Sequence, residues 1–145
     1  MAIFPNGLKK VGWLLVGIGM AMLVAYFTLD FRVELPVFAV VSVYFDTKWF
    51  AGFQTNVADE LIMVCLVAGL MLVAFSREKE ESSQLDRIRG LAMARAALYN
   101  GVFLLVAILF FYGQAFIAAL LLNMCSWFIM YIAIFSYQKK KQSGF

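Results

Sequence analysis

Histidine is absent from this chain of 145 residues. That removes the usual ligand of haem and zinc, and the usual proton carrier near neutral pH. Two cysteines, Cys65 and Cys125, stand alone inside apolar runs, where a thiol behaves as a small hydrophobe. They make neither a CxxC motif nor a disulfide framework. Charge is scarce as well, at 14% of residues, against about 25% in ordinary globular chains. No catalytic residue, cofactor site or metal-ligand set is therefore expected. The net charge of +3 is spread over helix flanks, not interleaved with aromatics on a polar face, so nucleic acid is a poor partner.

What fills the space is apolar: 64% of residues, with a mean hydropathy of +0.87. The apolar residues fall into long blocks separated by short charged stretches, as in a chain that crosses a bilayer. Lys9 and Lys10 precede an uncharged run, VGWLLVGIGMAMLVAYFT, from Val11 to Thr28. Its eighteen residues reach roughly 27 Å as a helix, close to the hydrocarbon thickness. The run is longer than the apolar core of a signal peptide and reads as a retained span. Further spans are expected over about 61–75, 96–112 and 115–137, with Tyr112, Gly113 and Gln114 as a tight turn. Asn56 with Asp59, and Ser83 with Asp86, have the spacing of helix N-caps.

Residues 30–60 are not plainly transmembrane. The run from Val37 to Phe45, VFAVVSVYF, follows Pro36 and is too short to cross as a helix, while its β-branched and aromatic content suits a strand. The fold class expected is an all-α membrane protein, with four transmembrane helices arranged as two helical hairpins. Residues 30–60 form an extracytoplasmic loop that can hold a short β element. The whole chain, 1–145, makes one transmembrane domain.

Orientation comes from the basic residues near the helix ends. Lys9, Lys10, Arg77, Lys79, Arg87, Arg89, Arg95, Lys139, Lys140 and Lys141 share one side; Arg32 and Lys48 share the other. Both termini are thereby expected in the cytoplasm, with anionic headgroups on that side as partners.

Within the spans, small residues recur every four positions at Gly17, Ala21 and Ala25, and again at Ala97 and Gly101, with Ala94 one turn before. Such stripes let backbones approach closely in lipid, and are expected to pack helices within one copy or between copies. The polar candidates are few. Asp59 and Glu60 mark the start of the second span and read as a helix cap or as the mouth of a cation path. Arg95 can snorkel to headgroups. Asn100 and Asn123 lie deeper; on opposing helices they fall on opposite sides of the midplane, so each is expected to bond a neighbouring helix separately, with a ligand or water-filled cavity as the alternative. The loop 76–90 carries both signs, with Arg77–Glu81 and Asp86–Arg89 at helical spacing. Arg77, Lys79, Arg87 and Arg89 are its candidate contacts for a partner.

The segments Thr55-Asn-Val-Ala-Asp-Glu60 and Ala74-Phe-Ser-Arg-Glu-Lys79 resemble stretches of small bacterial four-helix membrane proteins with no assigned activity. The resemblance covers the second helix and its flanks, implies a bacterial inner-membrane location and brings no site residues. In size and helix count the chain also resembles small multidrug-resistance exporters, but it lacks the acidic residue those proteins use inside the first span. The expected function is contact: a non-enzymatic accessory, sensory or regulatory membrane protein that acts as a homo-oligomer or with a protein partner. A small oligomeric transporter or channel is the alternative.

Overall fold

The computed structural model describes residues 3–30, 32–43, 47–79 and 82–144. The chain is mostly helical. The helices α1 (Gly7–Leu29), α2 (Ala58–Phe75), α3 (Ser83–Phe110) and α4 (Gln114–Ser143) are all long and apolar enough to cross a membrane. Between α1 and α2, β1 (Glu34–Val43) pairs with β2 (Thr47–Asn56) as an antiparallel ladder, running from Glu34 opposite Asn56 to Val43 opposite Thr47. Residues 44–46, and with them the end of the run to Phe45, lie outside the described residues.

α1 lies along α2, α3 along α4, and α2 touches α4. The tightest of these approaches rests on glycine. A Cβ placed on Gly69 would stand 2.8 Å from the carbonyl oxygen of Gly12 and 2.8 Å from the backbone nitrogen of Val16. Two turns further along α1, a Cβ on Gly19 would meet the Leu66 side chain at 2.9 Å. With no side chain in the way the two backbones come into van der Waals contact, which supplies in lipid what hydrophobic burial supplies in water. This corrects the expected α1 contact within the chain. Gly17 and Ala21 are exposed, Ala25 is only half-buried, and a Cβ on Gly17 would meet nothing within 4 Å. On α3 the stripe is likewise displaced. Ala97 and Gly101 point outward with Ala94, and the buried small residues are Ala92, Ala96 and Ala107.

Helix ends show why the boundaries fall where they do. Ser82, rather than Ser83, caps α3, its Oγ accepting from the Leu85 N–H at 3.3 Å. Asn56 acts one residue before the α2 cap position, which is Val57. Its Oδ1 accepts from the N–H groups of Ala58 (3.2 Å) and Val33 (2.9 Å), tying the base of the β ladder to the first turn of α2. Gly113, at φ +65°, makes the reversal between α3 and α4, a conformation that costs glycine little.

The buried core is not central. Ala74, Ile88, Ala92, Ala96, Tyr131 and Phe135 gather where α2 ends, α3 begins and α4 ends. Tyr131 stacks on both Phe75 and Phe135, with centroids 6.4 and 6.0 Å away. Towards the α3–α4 turn, Leu109, Phe110 and Tyr112 are exposed, as suits side chains that face lipid tails.

Candidate functional site: a polar clasp at the basic end

Most of the chain's basic residues lie at the end of the bundle formed by the start of α1, the exit of α2, the start of α3 and the end of α4. Three stretches far apart in sequence are fastened there. Ile3 and Phe4 donate their N–H groups to the Phe75 carbonyl (3.0 and 3.1 Å), and Arg77 donates back to the Phe4 carbonyl at 2.8 Å. This short parallel bridge seats the start of the chain against the exit of α2. Directly after it comes Glu78, whose side chain is only 12% exposed. Its Oε1 accepts from Lys9 Nζ of α1, and its Oε2 accepts from Lys139 Nζ of α4 at 2.7 Å. Burial pushes the Glu78 carboxyl upward, but the hydrogen bonds and charges of Lys139 and Lys9 together outweigh it and hold the group below its ordinary value. One carboxylate thus joins α1, the α2–α3 connection and α4.

Arg89 lies beneath this clasp, 4% exposed. Its guanidinium sits 5.3 Å from the centroid of the Phe135 ring, and its Nη2 donates to the Ser76 carbonyl at 3.4 Å. Cation–π contact suits a guanidinium that has been taken out of water. Arg89 is therefore corrected from a candidate partner contact to part of the core. Arg77, Lys79 and Arg87 are exposed, as that expectation requires. Glu81, paired by spacing with Arg77, lies outside the described residues. Arg95 is exposed near the start of its span, and Asp59 and Glu60 are exposed in the first turn of α2.

Asn100 and Asn123 meet, contrary to expectation. Asn100 Nδ2 donates to Asn123 Oδ1 at 3.1 Å, Asn123 Nδ2 donates to the Asn100 carbonyl at 3.2 Å, and Ser126 Oγ donates to Asn100 Oδ1 at 2.7 Å. Depth in an antiparallel pair is set by distance from the turn. Asn100 stands twelve residues before Tyr112 and Asn123 eleven after it, so the two are level. Ser126 is the member that sequence reasoning missed; it lies one turn beyond Asn123 on the same face. Replacing Asn123 with Leu should cost roughly 0.5–2 kcal/mol, the range for hydrogen bonds between helices in lipid. It should lower the melting temperature in detergent. The Asn100→Leu, Asn123→Leu pair should lose clearly less than the two single variants combined, because both remove the same network. Additive losses would show that the two side chains do not act on each other.

Compared with family models, with curated proteins and with solved structures, the chain finds no match.

Proposed function

We propose that this is a non-enzymatic multi-pass protein of a bacterial inner membrane that works by contact, as an accessory, sensory or regulatory partner. In this reading its two helical hairpins put both termini and the loop 76–90 in the cytoplasm, and the β ladder outside. The observation that carries it is where the polar side chains within the spans go. Asn100, Asn123 and Ser126 are spent on one another between α3 and α4. A path for ions or charged solutes needs such groups turned toward the solute, to replace its water. The exposed Arg77, Lys79 and Arg87 offer the contact surface. The small-residue stripes at Gly17, Ala21 and Ala97, Gly101 remain outward-facing seams for a second copy or another membrane helix.

Reconstitution tests this reading. Proteoliposomes should show no cation or proton flux, and Asp59→Asn with Glu60→Gln should leave biological activity intact. Charge reversal at Arg77, Lys79 and Arg87 together should abolish crosslinking to the partner. Arg89 is left in place because the fold uses it. Cysteine labelling on a background without Cys65 and Cys125 should reach position 48 from outside the intact cell and position 83 only after the cell is opened. That control is run in the charge-reversed protein as well, since those residues help set orientation. Robust flux abolished by the Asp59 and Glu60 changes would install the transporter reading instead.

A further inference from the structure

One face of α1 carries Lys9, Trp13, Val16, Met20, Leu23 and Phe27 at spacings of three and four residues. Residues at this spacing share a side of a helix. One face of α4 carries Lys139, Ser136, Ile132, Ile129, Cys125 and Leu122 in the same rhythm. Both stripes begin with a lysine at the basic end, pass an interfacial group (Trp13 on α1, Ser136 on α4) and continue as apolar side chains only. They flank the same hollow. At the basic end a cleft of about 560 Å³ is bordered by Lys9, Lys79, Lys139, Glu78, Asn6 and Ser82. A narrower passage of about 160 Å³ shares Lys9 and Glu78 with that cleft, and shares Trp13, Ile132 and Ser136 with what lies below it. Below it an apolar groove of about 790 Å³ runs between α1 and α4, floored by Ile62, Leu66 and Leu70 of α2.

A slot that is basic at one end and apolar along its length matches one chemical class, an amphiphile with a negatively charged head. We infer that cleft, passage and groove together form a binding site for an anionic phospholipid. The inference rests on the membrane reading above, and names the site where that reading supplies only an anionic surface. The phosphate lies in the cleft among Lys9, Lys79 and Lys139. Of these, Lys9 and Lys139 share the single carboxylate of Glu78, so among the described side chains cationic charge is in excess. Ser82 and the first turn of α3 border the same cleft, and the positive end of the helix dipole favours an anion there. Basic pockets between membrane helices on the cytoplasmic side select such headgroups. One acyl chain descends past Trp13 into the groove. From Lys139 to Leu122 is seventeen residues of α4, roughly 25 Å, which exceeds the half-thickness of the hydrocarbon core that one chain must cover.

The test uses full-length protein, delipidated in detergent and titrated by native mass spectrometry with phosphatidylglycerol and with phosphatidylcholine of the same acyl chains. Phosphatidylglycerol should bind first and at least tenfold more tightly. Lys79→Gln, which leaves the Glu78 clasp untouched, should cut that preference severalfold. Ala133→Phe, which fills the groove from the exposed side of α4, should weaken long-chain phosphatidylglycerol without affecting a dihexanoyl form. Inorganic phosphate should not compete at concentrations where the lipid saturates; effective competition would make the cleft a free-phosphate site and overturn the lipid assignment. Equal binding of the two lipids, or a preference unmoved by Lys79→Gln, would also overturn it. The cysteine-labelling pattern is read on the same preparations before extraction. A protein that inserts as proposed yet does not discriminate lipids fails only this inference, and one that inserts otherwise fails the underlying reading.

Discussion

Gly69→Ala should cost the protein as much stability as any single methyl group added to its helices. The new Cβ would sit 2.8 Å from two backbone atoms of α1, the Gly12 oxygen and the Val16 nitrogen. Neither atom can rotate away as a side chain would, so the helices themselves must separate. Overpacking a tight contact costs about 1–3 kcal/mol, and the upper part of that range applies where the obstacle is backbone. Gly12→Ala meets the Gly69 carbonyl in the same way and should behave alike. The pair should lose less than the sum, because once α1 and α2 have moved apart the second methyl finds room. Gly17→Ala and Ala21→Leu are the controls: both positions face outward, so each should change stability by no more than about 0.5 kcal/mol. Thermal melting in detergent, followed by circular dichroism, separates the two sets. An unchanged melting temperature for Gly69→Ala would mean that α1 and α2 do not meet at this point.

Reversal of the Glu78 charge has an expected effect of similar size. Glu78→Lys would place a third ammonium between Lys9 and Lys139, in a position where the carboxylate is 12% exposed. The loss should be about 3 kcal/mol, the lower end for an uncompensated part-buried charge, because Lys139 is still 43% exposed and partly solvated. Glu78→Gln keeps the shape and loses the charge, and should cost roughly half as much. The same group fixes a pH dependence. Its folded-state value lies below its ordinary 4.5, so the unfolded chain takes up this proton first as the pH falls. The stabilisation from the clasp is therefore complete above 4.5 and fades as the pH drops below it, through the lower folded value. Melting temperatures measured from pH 7 to pH 3 should show this fall in the wild-type protein and a shallower one in Glu78→Gln. Identical profiles would sink the assignment of the effect to Glu78.

Hydropathy made four apolar segments legible because a bilayer demands length and the near-absence of charge, both visible residue by residue. The packing faces were less so. α1 is rich in small residues, and Gly12 with Gly19 and Gly17 with Ala21 and Ala25 lie on different sides of it. Only the partner decides between the sides, and the clue was Gly69, the one glycine in the second span, which needs a backbone opposite it. Arg89 read as part of a solvated loop because its charge outweighed its position. Once α3 starts at Ser83, Ile88, Ala92 and Ala96 form a four-residue stripe, with Arg89 beside it. The Asn100–Asn123 pair was hidden by placing the two on opposite sides of the midplane, when the turn at Gly113 is the fixed point from which their depth is set. Ser82 and Ser83 are chemically identical caps, and only backbone geometry chooses between them.

The clasp at Glu78 also has a bearing on the order of synthesis. Glu78 is separated from Lys9 by 69 residues and from Lys139 by 61. The ribosome therefore delivers Lys9, then its acceptor, and the second donor last of the three. Bonds that close long loops come late in folding, since the chain entropy they cost is recovered only when both ends are present. α1 and α2 can pair through Gly12 and Gly69 while the rest of the chain is still being made, but the basic end cannot shut until α4 is inserted. In a newly made copy, the Lys139–Glu78 bond is thus a mark that α4 has joined the bundle, distinguishing a four-helix bundle from one whose Glu78 still lacks Lys139.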